Sequence, residues 1–139
     1  MRIIPDMRLV SAIGIALAPV VALSATGTAN AAIGAGRVQL CAQGNYAARL
    51  QFYDNSDGDY GAGSATVQAG TCYTFDAPHS GGQPTPVYVI GINRISLKEF
   101  TVPGGPFKSY RDSGAKLAAL GTPANATPVN TSAVQYPNR

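Results

Sequence analysis

Tryptophan is absent from this chain of 139 residues; histidine occurs once, and cysteine and methionine twice each. Two cysteines and one histidine cannot supply the four N/S ligands of a structural zinc site. A single histidine also leaves few groups that titrate near neutral pH. Charge is scarce as well. Asp, Glu, Lys and Arg make up 12% of residues, about half the usual share. That excludes a polyelectrolyte-type disordered chain, which needs high net charge. The length allows one ordinary domain.

The first 31 residues read as a secretory signal rather than as part of the fold. Arg2 and Arg8 supply a positive start, Leu9 to Leu23 is an apolar run, and Ala29-Asn30-Ala31 fits the A-x-A cleavage pattern. The run is short for a membrane span, which needs about 20 apolar residues. Met7 is an alternative start to Met1 and gives a more ordinary leader. Cleavage after Ala31 leaves eight Lys and Arg against six Asp and Glu. That surplus is too small to argue for nucleic acid, which needs clustered cations. The expected location is outside the cell, with no membrane contact after cleavage. Oxidising conditions there make a Cys41–Cys72 disulfide the default. A loop of about 30 residues is worth roughly 3–4 kcal/mol in the chain-entropy model. Only 20 Leu, Ile, Val and Phe remain in residues 32–139, so the core is thin and a covalent staple matters.

Residues 32–102 punctuate like an all-β domain. Val38, Leu40 and Ala42 alternate with Gln39, Cys41 and Gln43; Ala48, Leu50 and Phe52 alternate with Arg49, Gln51 and Tyr53. Further short strands are expected at Ala65–Val67, at Cys72–Phe75 and over Leu97–Val102. The segment 86–92 is apolar on both parities and reads as a strand covered on both faces. Six strands with turns between them predict a small antiparallel sandwich or barrel. Cys41 lies on the parity of Gln39, and Cys72 on that of Thr74. The bridge is therefore expected between neighbouring antiparallel strands, on the less apolar face. Residues 103–139 change character. They predict a loop, a short helix over Ser113–Leu120 capped by Ser113, and a disordered tail from Gly121. The fold expected is thus a β domain with one disulfide and a flexible C-terminal extension.

The stretch Gly36-Arg37-Val38-Gln39-Leu40-Cys41-Ala42-Gln43-Gly44-Asn45-Tyr46-Ala47-Ala48, with Val67-Gln68-Ala69-Gly70-Thr71-Cys72 and Val87-Tyr88-Val89-Ile90-Gly91, resembles small secreted β-rich proteins of actinobacteria. The resemblance spans about residues 33–95 and implies export and a β-rich fold. That group has no assigned activity, so no site residues carry over.

Several constellations compete as functional sites. Ser80, His79 and Asp76 could be drawn as a triad, but neighbours in sequence rarely meet in the required geometry. Asp54, Asp57 and Asp59 could hold calcium, yet Asp59 and Ala65 stand where an EF-hand needs Gly and Glu, and a solvated turn is the simpler reading. A glycosidase pair from Asp54, Asp57, Asp76 and Glu99 has no spacing to select it. Asn125-Ala126-Thr127 and Asn130-Thr131-Ser132 match the glycosylation sequon and place the tail at the surface. The polar face of the first two strands would gather Gln39, Gln43, Arg49, Gln51 and Tyr53, with Tyr46 at its end. Amides and a guanidinium beside an aromatic plane suit a sugar. Lys108, Tyr110 and Arg111 lie beyond a Pro103/Pro106 break and suit a rigid inhibitory loop. The expectation is a secreted, non-catalytic binding protein without cofactor or metal. An extracellular or cell-wall glycan would lie on Arg49, Gln51 and Tyr53. The alternative is an inhibitor of a secreted hydrolase acting through Lys108, Tyr110 and Arg111.

Overall fold

Nine strands account for the regular structure. They are β1 Arg37–Ala42, β2 Ala47–Asp54, β3 Asp59–Gly63, β4 Cys72–Asp76, β5 Thr85–Ile92, β6 Glu99–Thr101, β7 Phe107–Ser109, β8 Ala115–Gly121 and β9 Thr131–Tyr136. The computed structural model describes residues 31–54, 59–123 and 130–139. All but the last residue of the expected leader, the centre of the Asp54–Asp59 loop and the Asn125 sequon lie outside the described residues.

The strands form two sheets, ordered β4-β1-β8-β9 and β3-β2-β5-β6, with β7 also paired to β5. The all-β sandwich matches the sequence pattern. On β1, Val38, Leu40 and Ala42 enter the core, while Gln39 and Cys41 occupy the other face, as a period of two requires. From the second sheet Ala48, Leu50, Phe52, Val87 and Val89 meet them. The third strand is displaced from its expected place: β3 is 59–63, and Val67 makes only an isolated bridge to Ala48. Strand β5 is buried at Thr85, Val87, Val89 and Gly91 and half-buried at the alternate positions. The expected cover on both faces is thus complete on one face only. Its apolar alternates Ile90 and Ile92 lie on the sheet's outer side.

Cys41 and Cys72 are bonded and face each other directly across the antiparallel pair β1–β4. The bridge joins neighbouring strands on the face of β1 turned away from the core. Ala42 N–H bonds to Thr71 O at 2.9 Å, which makes the cysteines a non-hydrogen-bonded pair, the closer of the two antiparallel arrangements.

The C-terminal third corrects the sequence reading. No helix occurs among the described residues, and 115–121 is the strand β8, buried over its first five residues. It runs parallel to β1, so the first sheet is mixed. It also pairs antiparallel with β9, so residues 131–136 are ordered sheet rather than free tail. Ala115, Leu117 and Ala119 face the core. Alanine has a high helix propensity when nothing else acts, but a strand covered on both faces favours small side chains, and packing overrides propensity.

Candidate functional site

The sandwich is open along one side. There β4, the edge of the first sheet, stands beside β3, the edge of the second. Between them lies a groove of about 510 Å³, lined by Phe52, Ala62, Gly63, Ser64, Ala65, Thr66, Tyr73, Phe75, Asp76 and Pro78. A smaller cleft of about 150 Å³ adjoins it, lined by Phe52, Tyr53, Gly61, Ala62, Pro78, His79, Ser80 and Thr85. The two share Phe52, Ala62 and Pro78.

Tyr73 dominates the groove wall. It is 62% exposed, and its ring lies 4.9 Å from that of Phe75, tilted by 39°. Alternation along β4 puts both rings on the core side, opposite Leu40 and Val38. Phe75 packs half-buried against the core, whereas Tyr73 escapes burial because β4 is an edge strand. Parity could find the face of Tyr73; only the strand order shows that the face is open. Ser64, in the floor, accepts a hydrogen bond from Leu50 N–H at 2.8 Å and donates to Ala65 O at 2.8 Å. Asp76, at the end of β4, accepts from Arg37 Nε at 3.1 Å.

Arg49 and Gln51 do share the outer face of β2, but both are engaged. Arg49 donates through Nε and Nη2 to the two carboxylate oxygens of Glu99, at 2.8 and 3.0 Å. Its Nη1 donates to Gln51 Oε1 at 2.8 Å, and Gln51 Nε2 donates to Gly61 O at 2.9 Å. Three of the five guanidinium N–H groups are thus committed. The hydrogen bonds from Arg49 hold the Glu99 carboxyl below the usual carboxylate range, and Glu99 in turn raises the Arg49 pKa. The network pins β3 and β6 to β2. Tyr53 is half-buried and lines the smaller cleft. Of the three residues expected to bind together, Tyr53 alone lines either of the two clefts just described.

Other expected members of that polar face are elsewhere. Tyr46 belongs to the core, 1% exposed, because the β1–β2 turn swings its ring over Gly91 and against Phe100 at 5.5 Å. Its hydroxyl donates to Leu120 O at 2.8 Å. Gln39 lies on the other sheet and is buried.

His79 Nε2 lies 3.1 Å from Ser109 Oγ, not against Ser80 or Asp76. Ser109 is fully buried, so its hydroxyl cannot meet a substrate. Lys108 sits within β7, paired opposite Pro86. Arg111 Nη2 donates to Gly81 O at 2.9 Å and to His79 O at 3.4 Å, which fastens the 110–112 turn to the 79–84 loop. Tyr110 stays 48% exposed at that place. No cluster of three His, Cys, Asp or Glu suited to a metal occurs among the described residues.

No protein-family model matches the chain, and no curated protein matches it. Among solved structures, a protein from Eubacterium rectale determined by NMR is similar at 14% identity and a TM-score of 0.46, covering 73% of this chain and 88% of that one. Listeriolysin O is similar at 13% identity and 0.45, covering 75% of this chain but 22% of its own. Pneumolysin is similar at 14% identity and 0.41, with 75% and 24% covered. The chain thus spans about a quarter of either of the last two proteins.

Proposed function

We propose that this is a secreted, non-catalytic binding protein whose ligand is an extracellular glycan seated in the groove between β3 and β4. The observation that carries the reading is Tyr73, an aromatic ring 62% exposed on the wall of that groove. An aromatic face covers the apolar face of a sugar, and the ring gives up little conformational freedom on binding. Ser64, Thr66 and Asp76 border the same groove and offer hydrogen-bonding partners for hydroxyl groups. The groove follows the strand edges and continues into the Tyr53 cleft, a shape suited to a chain of sugars rather than to one ring. The site thereby moves from Arg49 and Gln51, whose side chains are held in a network within the sheet, to the open edge next to them.

The test is a glycan array with the wild-type protein, followed by titration calorimetry of any ligand found. Tyr73→Ala should weaken binding by about 1–3 kcal/mol, the size expected for a useful interface aromatic. Its thermal midpoint should hold, because the ring is mostly in solvent. Lys108→Ala and Arg111→Ala should bind normally. The reverse pattern, with inhibition of a secreted hydrolase that those two changes abolish, would place the function on the 108–111 loop.

A further inference from the structure

The connection between β5 and β6 holds two large aliphatic side chains in solvent. Ile95 is 80% exposed and Leu97 73%, in a domain with few apolar residues to spare. The turn beneath them is closely tied. Buried Asn93 accepts Ile95 N–H at 2.9 Å and Ser96 N–H at 3.0 Å on its Oδ1. Its main chain accepts Leu97 N–H at 2.8 Å and donates to Lys98 O at 3.0 Å. Lys98 N–H donates to Ser96 Oγ at 3.3 Å. Every main-chain N–H from 95 to 98 is therefore used inside the turn, so the tip can leave water without stranding a donor. Leu97 has a φ of 61°, a conformation that glycine or asparagine adopts at less cost. Leu97 thus projects apolar surface where a turn residue would serve the backbone better.

Charge is arranged around this tip. Arg94 and Lys98 flank it, both exposed, and among the described residues neither forms an ion pair. Residues of the 43–46 and 64–71 connections share a hollow of about 380 Å³ with Ile92, Arg94 and Leu97, so the three connections lie at one end of the sandwich. Their sequences contain no Asp or Glu. Glu99, the acid that follows Lys98 at the start of β6, is neutralised by Arg49 at 2.8 and 3.0 Å, while Asp54, Asp59, Asp76 and Asp112 belong to strand ends and a turn at the opposite end.

We propose that the 94–98 tip is a membrane-contacting element. Ile95 and Leu97 enter the boundary between headgroups and acyl chains of an anionic lipid surface, and Arg94 and Lys98 lie against the phosphates. An apolar tip collared by cations has the two components of interfacial binding, buried apolar area and attraction to anionic headgroups. A second copy is the poorer occupant, since a symmetric tip-to-tip contact would bring four like charges together. With two inserting side chains the attachment is reversible and weakened by salt. The sequence alone pointed to no membrane contact after loss of the leader; the exposure and collar of this turn appear only once the chain is folded.

The absence of tryptophan makes the test direct. In the full chain Ile95→Trp becomes the sole indole. Vesicles of phosphatidylcholine containing phosphatidylglycerol should blue-shift its emission, and lipids brominated on the acyl chains should quench it. Phosphatidylcholine alone should act far more weakly. In the same background, Arg94→Gln and Lys98→Gln should each lower vesicle affinity about five-fold, the size expected for one basic residue at an anionic surface. Tyr110→Trp, at the opposite end, should not shift and reports any adsorption through the leader. These side chains are all substantially exposed, so the variants should keep the wild-type thermal midpoint. No shift at position 95, or an equal shift at position 110, overturns the proposal. A vesicle-independent shift that grows with protein concentration overturns it in favour of self-association.

Discussion

Tyr46 is a polar-tipped residue that the fold uses as core. Its ring fills the space that Gly91 leaves, where an added Cβ would come within 2.9 Å of both the Phe100 and Tyr46 rings. Its hydroxyl is satisfied by Leu120 O. Burial disfavours the phenolate and pushes its pKa up to about 12 from the usual 10.0. A group that resists ionisation in the folded state stabilises the fold fully below its unfolded pKa. That contribution is lost as pH rises from about 10 through about 12. Stability measured by urea unfolding should therefore fall across that interval. Tyr46→Phe should cost about 1 kcal/mol at neutral pH, the usual worth of one hydrogen bond, and should show a shallower alkaline decline. An identical decline in both proteins would mean that Tyr46 does not carry the effect.

At the scale of elements, β8 and β9 decide how much of the chain is domain. Strand β8 lies between β1 and β9 and pairs with β9 over six positions, Lys116 to Gly121 against Tyr136 to Thr131. The end of the chain is fastened further by Asn138, whose side chain accepts Ile33 N–H at 2.6 Å and donates to Ile33 O at 3.1 Å. Ending the chain after Thr122 should therefore abolish cooperative unfolding or leave the protein insoluble, since it exposes the edge of a buried strand. A dispensable tail would instead leave the thermal midpoint unchanged; a thermal melt followed by circular dichroism distinguishes the two. The reason β8 escapes a reading of the sequence is physical. Its partner β1 lies more than 70 residues away and runs parallel, so no turn signal joins them, while Ser113 and the alanines satisfy local rules for a helix. By contrast β1, β2 and β4 carry their own alternation, and the placement of the disulfide between neighbouring strands followed from the parity of Cys41 and Cys72. The groove was half legible. Alternation placed Tyr73 and Phe75 together on one face, but strand order alone makes that face a wall. The Arg49–Glu99 pair, formed across 50 positions, left no local signal at all.

Over the whole molecule, both proposed binding surfaces lie at the margins of the sandwich. The groove occupies the open β3–β4 side, and the aliphatic tip projects from the end where three connections meet. Both depend on a frame with little apolar material, and the Cys41–Cys72 bridge bears on the groove most directly. Strand β4 is held on one side only, by β1, and carries Tyr73 and Phe75. The bridge closes a separation of 31 residues, a segment that includes β2, β3 and the groove floor. Restricting that segment in the unfolded chain is worth roughly 3–4 kcal/mol, a large part of the 5–15 kcal/mol typical of a small domain. The bridge lies on the side of β1 away from the core, so its loss opens no cavity between the sheets. Replacing both cysteines by serine should thus cost about 2–5 kcal/mol in urea unfolding. Because β4 lacks a second neighbour, its amides should lose hydrogen-exchange protection before those of β2 and β5, which pair with each other along their length. A cost well under about 1 kcal/mol would show that the sheets hold without the staple. Uniform loss of protection would show that β4 is no weaker than the strands behind it.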